Sequence, residues 1–149
     1  MSDWASFADY LAAELDELPI TSRVIIFEPA PAPSRRFVQF ARDEDVLSAQ
    51  LVGNKSLEPE RRPDAAGWRA ITRAGWHQPD AANAHLWWID FDAPVTMDDC
   101  RRAAAIAVTG LRDGYGITGP DALVYDAWVE RAGNRTIDLR TLGLKQQRM

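Results

Sequence analysis

The sequence has a single cysteine and no apolar run long enough to cross a membrane. Cys100 has no second cysteine with which to form a disulfide within the chain, which favours a reducing compartment. A membrane-spanning helix needs about 18 or more consecutive apolar residues. A secretory signal needs a basic start and then an apolar run, whereas the opening residues MSDWASFADYLAAELDELP are acidic and amphipathic. We therefore expect a cytoplasmic protein.

The sequence also lacks a basic patch. Its formal charge is −5, and residues 1–19 contain five acidic residues and no Lys or Arg. The rest of the chain holds 17 acidic and 17 basic residues, so the whole acidic excess lies in the first predicted helix. Nucleic acids and anionic membranes are bound by clustered basic residues. We therefore expect neither a nucleic acid nor a membrane as a partner.

Motifs for catalysis or metal binding are scarce. His77 and His85 are the only histidines, and no Cys or Glu stands at zinc-ligand spacing beside them. Asp90 and Asp92 could hold a divalent cation, but alternating aspartates are also typical of a solvent-exposed strand face. The glycines of DGYGITGP follow a predicted helix, whereas a phosphate-binding loop precedes one. Cys100 fits a small buried residue. We predict no catalytic residue, no cofactor and no metal.

Hydrophobic periodicity predicts three helices in one domain. The first covers residues 4–18, with Ser2 or Asp3 as its N-cap and Pro19 as its stop. The second covers residues 64–74, with Asp64 as N-cap and Gly75 as C-cap. The third begins at the N-cap Thr96 and is ended by Gly114 and Gly116. Its packing face is predicted to consist of Cys100, Ala103, Ala104, Ala107, Val108 and Leu111.

Alternating or β-branched runs predict five strands. RVIIFEP, RRFVQFA and VLSAQLV are joined by the turn-like APAPS and ARDED, which favours an antiparallel meander. HLWWIDF and PDALVYDAWV provide the other two strands. The order helix, three strands, helix, strand, helix, strand predicts an α+β fold with an antiparallel sheet flanked by helices. We place a single domain at residues 1–131 and a tail at 132–149, extended at 136–139 and frayed at KQQRM.

The adjacent Trp87 and Trp88 must point to opposite faces of a strand. Trp87 shares its face with His85, Ile89 and Phe91, so we assign it to the core, whereas Trp88 shares its face with Leu86, Asp90 and Asp92. Trp128 likewise lies opposite the apolar face of the last strand, and one of Trp88 and Trp128 could simply cover the other. Core or lid packing is predicted for Trp4, Trp68 and Trp76.

Several short motifs occur in a recognisable order: WASFADYLAAELDELP, RRFVQFA, AGWHQPD and CRRAAAIAVTGLRDGYGITGPDALVYDAW. Over about residues 4–130, the chain resembles the bacterial TY-Chap family, which is grouped with YbjN-like proteins and type III secretion chaperones. The resemblance implies a chaperone-like sheet flanked by helices, a peptide or protein client, no catalytic residues, frequent homodimers and an actinobacterial source. The positions that carry it are Gly75, Trp76, Pro79, Leu111, Arg112, Gly116, Pro120, Leu123 and Tyr125.

We therefore predict a non-catalytic chaperone-like module that binds a peptide or protein client. The client could add a strand to an exposed sheet edge or lie on an apolar sheet face, and the acidic first helix would favour a basic client. The alternatives are a small regulatory or ligand-binding domain with a metal at Asp90 and Asp92, and an enzyme subunit that is inactive alone. The sequence leaves monomer and homodimer open. The predicted contact residues are Trp88, Leu86, Trp128, Phe40 and Val38.

Overall fold

A computed structural model describes residues 3–31 and 34–149. The alternative N-cap Ser2 and the centre of the APAPS connector lie outside these residues. The helices and strands follow the predicted order, and two short strands are added after it. In chain order they are α1 (Trp4–Asp16), β1 (Ser22–Phe27), β2 (Phe37–Arg42), β3 (Val46–Leu51), α2 (Ala65–Ala74), β4 (Trp87–Asp92), α3 (Met97–Thr109), β5 (Val124–Val129), β6 (Arg135–Thr136) and β7 (Lys145–Gln146).

The predicted N-caps start all three helices. The side chain of Asp3 accepts a hydrogen bond from the Ser6 N–H at 2.7 Å, and Asp64 accepts one from Gly67 at 2.7 Å. Thr96 and Asp99 cap each other reciprocally. After α3, the chain continues through a π-helical turn at Gly110–Gly114 and then reverses. Each start is thus fixed by a local side-chain bond, which explains why the sequence revealed it.

The sheet confirms the predicted α+β class. Strands β1, β2 and β3 form the expected antiparallel meander, and the full order is β4-β3-β2-β1-β5. The outer edge of β5 carries both short strands: β6 pairs with it antiparallel and β7 pairs with it parallel. The sheet is therefore antiparallel except at this one edge.

The hydrophobic core lies between the three helices and one face of the sheet. Trp87, Ile89 and Phe91 point into it as predicted, and Cys100 is fully buried on α3. Trp4 and Trp76 are also core residues, whereas Trp68 is half-buried with its ring 4.5 Å from that of Trp87. The apolar stripes of the helices therefore cover only one side of the sheet.

The tail packs back onto the domain. Leu139 and Leu142, beyond the boundary we placed after residue 131, are 4% and 1% exposed and belong to the same core as α1. Lys145 and Gln146 form β7, where the sequence predicted a frayed end. The burial of these two leucines explains why the tail packs on the domain, because each fully buried leucine contributes roughly 2 kcal/mol to the free energy of folding.

Candidate client-binding surface

The face of the sheet opposite the helices, called here the uncovered face, carries a mixed set of side chains. Its small hydrophobic cluster consists of Ile25, Phe27 and Val124, with Phe37 and Trp128 packed against it, and it contains no helix residue. The strand register places the following residues on the same face: Arg23, Gln39, Ala41, Ser48, Gln50, Trp88, Asp90 and Asp126. The face is therefore partly apolar and partly polar, unlike the face that forms the core.

Trp128 stands between two cavities on the uncovered face. It is half-buried on β5. One cavity, of about 190 Å³, lies over the middle of the sheet beside Ile25, Gln39 and Gln50. The other, of about 500 Å³, opens toward the tail. The indole ring can therefore be approached from both sides. The second cavity is lined by Asp126, Trp128, Glu130, Asn134, Thr136, Arg148 and Met149.

The charged residues that line the two cavities beside Trp128 are Asp126, Glu130, Arg23 and Arg148. Arg23, the basic residue on this part of the sheet, is held by Asp43 at 3.1 Å and by Glu130 at 3.3 Å. Asp126 and the exposed Asp90 form no salt bridge within the described residues. A basic segment would therefore find carboxylates beside the aromatic ring.

Trp88 is fastened to the loop that precedes β4. Its ring lies 4.3 Å from that of His77, centroid to centroid, and its Nε1 donates to an Asp80 carboxylate oxygen at 3.2 Å. The hydrogen bond from the Asn83 side chain lowers the pKa of Asp80 most; burial opposes this effect, and the bond from Trp88 and main-chain bonds lower the pKa further. One ring face of Trp88 is thus occupied, and the residue is half-buried.

Trp88 and Trp128 lie on the same face but far apart. Trp88 is on the edge strand β4 and Trp128 is on β5, with three strands between them. Four strand spacings correspond to about 19 Å. The suggestion that one of them covers the other is therefore wrong. A cross-strand row through Gln50, Gln39 and Ile25 connects Trp88 to Asp126, which lies two residues before Trp128 and on the same face.

Three of the residues predicted to contact a client are buried. Val38 and Phe40 are 0% and 2% exposed and lie under the helices. Alternation distinguishes the two faces of β2 but does not say which face the helices cover. Leu86 is 7% exposed. It follows Ala84 and His85, which both have positive φ, and precedes Trp87, the first residue of β4, so the alternation of that strand does not extend to it. A client cannot reach these three side chains in this arrangement.

An ion-pair network connects Glu28, Arg36 and Arg61 beside the uncovered face. Glu28 binds Arg36 and Arg61 through contacts of 2.6 Å each, and Arg36 also donates to the Tyr115 carbonyl at 2.7 Å. Burial opposes ionisation of Glu28, but the hydrogen bonds and charges of both arginines outweigh it and lower its pKa. The guanidinium of the adjacent Arg35 lies 5.0 Å from the Phe27 ring centroid.

The candidate catalytic and metal-binding residues are dispersed. Among the residues described, no three His, Cys, Asp or Glu side chains are grouped to hold a metal ion. Nε2 of His85 lies 3.1 Å from the Lys55 ammonium. Burial first, and then the charges of Asp16 and Asp99, raise the pKa of the Cys100 thiol to about 11. The thiol therefore stays protonated at neutral pH and serves as a packing group.

Two features of this surface were not predicted from the sequence. The floor of the uncovered face includes Gln39 and Gln50, whose side chains are hydrogen-bonded to each other at 2.6 Å, and these residues carried no distinctive motif. The tail residues Arg148 and Met149 reach the cavity beside Trp128. The signal available in the sequence was charge: KQQRM is basic, whereas the end of the last predicted strand carries the acidic Asp126 and Glu130.

The protein is a small α+β domain. Its helices cover one face of a mainly antiparallel sheet, and the opposite face carries aromatic and acidic side chains. Residues 1–129 match the TY-Chap3 family, described as T3SS (YopN, CesT) and YbjN peptide-binding chaperone 3, and the chain belongs to this family. No curated protein and no solved structure matches it. In the described residues, no helix has the length and hydrophobicity to span a bilayer. The match ends at Val129, the last residue of β5, so β6 and β7 lie beyond it.

Proposed function

We propose that this protein is a non-catalytic cytoplasmic chaperone module that holds an extended, basic client segment on the uncovered face, with Trp128 as its main contact. The observation that carries the proposal is the position of Trp128, half-buried between two open cavities in a family of peptide-binding chaperones. Tryptophan is one of the three side chains, with tyrosine and arginine, that are enriched among the few residues that dominate the binding energy of protein interfaces. A partly exposed tryptophan between cavities can bury its ring further when a partner binds.

The charges support a client that combines basic and apolar residues. Asp126 lies beside Trp128 on the uncovered face, and Glu130 follows at the end of β5. A Lys or Arg of the client can pair with these carboxylates or lie over the indole ring. An apolar client residue can enter the 190 Å³ cavity against Ile25. An acidic client would meet carboxylates of its own sign and bind more weakly.

The row of residues across the sheet gives the client a path from Trp128 to Trp88. An extended chain rises about 3.3 Å per residue, so about six residues would span the roughly 19 Å between the two tryptophans. Gln39 and Gln50 lie half-buried along this path. Their side-chain amides have further donors and acceptors beyond those in their mutual hydrogen bond, and these could bond to the client main chain. Val38 and Phe40 would support the client site from the core side of the sheet, by holding β2 in place.

A peptide titration tests this function. The probe is a fluorescein-labelled peptide of about ten residues with alternating Lys and Leu, long enough to cross the sheet, and its counterpart alternates Glu and Leu. Fluorescence anisotropy should show binding of the basic probe and at least tenfold weaker binding of the acidic one. Trp128→Ala should weaken binding of the basic probe about tenfold, which corresponds to about 1.4 kcal/mol.

The matched control is Tyr10→Ala. Tyr10 is an exposed aromatic residue on α1, 46% exposed, on the opposite side of the molecule from the uncovered face. This variant should bind the basic probe like the wild type, and thermal unfolding should show that both variants are folded. Equal affinities of wild type and Trp128→Ala for the basic probe would contradict the proposed function.

A further inference from the structure

The tail runs along the outer edge of β5 in two separate segments. The first pairs at β6, and the Ile137 N–H then donates to the Ala127 carbonyl at 2.9 Å. The second pairs at β7, where the Gln147 N–H donates to the Tyr125 carbonyl at 2.7 Å. These two β5 carbonyls both face the outer edge. A chain that lacked the second segment would leave the Tyr125 carbonyl open to another strand.

The two segments are held very differently. The connection between them is anchored by the buried Leu139 and Leu142, and the Leu139 N–H donates to the Tyr125 hydroxyl at 3.0 Å. Of residues 145–149, in contrast, two form a strand, Lys145 and Gln146, and all five except Gln146 are exposed. Short and exposed pairing of this kind opens at low free-energy cost. Residues 145–149 can therefore leave β5 while the rest of the tail stays in the core.

The chemistry of residues 145–149 matches the surface on which they lie. The segment KQQRM carries two basic residues and no acidic one. The Met149 N–H donates to the Asp126 carboxylate at 3.2 Å, and both Arg148 and Met149 line the cavity beside Trp128 and Glu130. A basic segment with an apolar residue thus already lies at the Trp128 end of the path proposed for such a client.

We propose that residues 145–149 are a resident strand in the client's place, and that a basic client segment with an apolar residue displaces them and joins β5 as a parallel edge strand. This inference rests on the proposed function, because it uses the same contact at Trp128. It adds that the client residues beside Trp128 pair with the outer edge of β5 and run parallel to it, before the client crosses the uncovered face, and that the tail competes for this edge. A tethered competitor acts at an effective concentration of the order of millimolar, so its release raises the affinity for a client in solution.

The full chain with Gln147→Pro tests the proposal. Proline has no N–H, so this change removes the bond to the Tyr125 carbonyl, and Gln147→Ala is the matched control because it removes the same side chain and keeps the N–H. The probe is a fluorescein-labelled peptide with the sequence of residues 144–149, LKQQRM. We expect Gln147→Pro to bind this probe at least tenfold more tightly than the wild type and Gln147→Ala. The variant LEQQEM of the probe should bind at least tenfold more weakly.

A second measurement establishes where the tail is in each variant. Amide ¹⁵N relaxation should show residues 145–149 ordered in the wild type and in Gln147→Ala, and mobile in Gln147→Pro. Mobility without tighter binding of LKQQRM overturns the inference. Persistent order in Gln147→Pro also overturns it, because the segment would then not be displaceable. Equal binding of LKQQRM and LEQQEM overturns the assigned client chemistry.

These outcomes can be separated from a failure of the proposed function. If the alternating Lys and Leu peptide binds the wild type through Trp128 but released Gln147→Pro does not capture LKQQRM, the proposed function stands and the edge inference fails. If neither peptide binds any variant, the proposed function itself fails.

Discussion

His77 and Trp88 are joined by two main-chain hydrogen bonds: the His77 N–H donates to the Trp88 carbonyl at 2.9 Å, and the Trp88 N–H donates to the His77 carbonyl at 3.3 Å. This bridge covers the outer edge of β4 at Trp88. Because residues two apart present their main chain to the same side, the remaining outward groups of β4 belong to Asp90 and Asp92. Two exposed aspartates discourage strand addition. The edge of β5 is therefore the better site for a client strand.

The side-chain contacts of Trp88 with the same loop make it a stabilising residue as well as a surface residue. Trp88→Ala removes the ring contact with His77 and the bond to Asp80. Full truncation of a buried aromatic costs about 3–5 kcal/mol, so we expect a loss of about 2 kcal/mol for this half-buried one. Urea unfolding measures it. Gln78→Ala, an exposed neighbour of His77, should be neutral, and a loss in Trp88→Ala no larger than in this control would contradict the role.

The ion-pair network at Glu28 gives the protein a pH-dependent contribution to stability. Because the pKa of Glu28 is lowered in the folded state, its stabilisation is fully present above the ordinary value of 4.5 and is lost as the pH falls through the lower folded value. Glu28→Gln leaves Arg36 and Arg61 without their carboxylate, and breaking a buried pair costs about 3–5 kcal/mol. We expect a loss of about 2–3 kcal/mol at pH 7, because the arginines are partly exposed.

Urea unfolding of wild type and Glu28→Gln at pH 7 and at several values below 4.5 checks this expectation. The difference in the free energy of unfolding should shrink as the pH falls. The control is Glu58→Gln, an exposed carboxylate that forms no salt bridge within the described residues. A difference that stays constant with pH would rule out the electrostatic origin.

The contact between α2 and the π-helical turn requires glycine. A Cβ at Gly67 would lie 2.3 Å from the Gly114 carbonyl oxygen, a main-chain atom that cannot move aside cheaply. Gly67→Ala should therefore lower the free energy of unfolding by about 2 kcal/mol, although alanine is the better helix former by about 1 kcal/mol. Gly119→Ala is the matched control, since a Cβ there has no neighbour within 4 Å. Thermal unfolding in which Gly67→Ala matches or exceeds the wild type would contradict this packing.

Local patterns predicted the parts of the fold that depend on local physics. Asp3, Asp64 and Thr96 cap helices through residues three positions away, and the alternation at Trp87 and Trp88 reflects the strand geometry itself. The choice of face for Val38 and Phe40 depends on where distant helices pack, and the sequence period is the same for either choice. The return of the tail to β5 depends on long-range pairing over two-residue strands, which are too short to show a period.

The most direct test of the proposed client site uses the indole N–H signals of the six tryptophans. In a ¹H–¹⁵N spectrum assigned with single Trp→Phe variants, the alternating Lys and Leu peptide should shift the Trp128 signal strongly. The signals of the buried Trp76 and Trp87 should stay in place. A titration that saturates without moving the Trp128 signal, or that moves the buried signals instead, would contradict binding on the uncovered face.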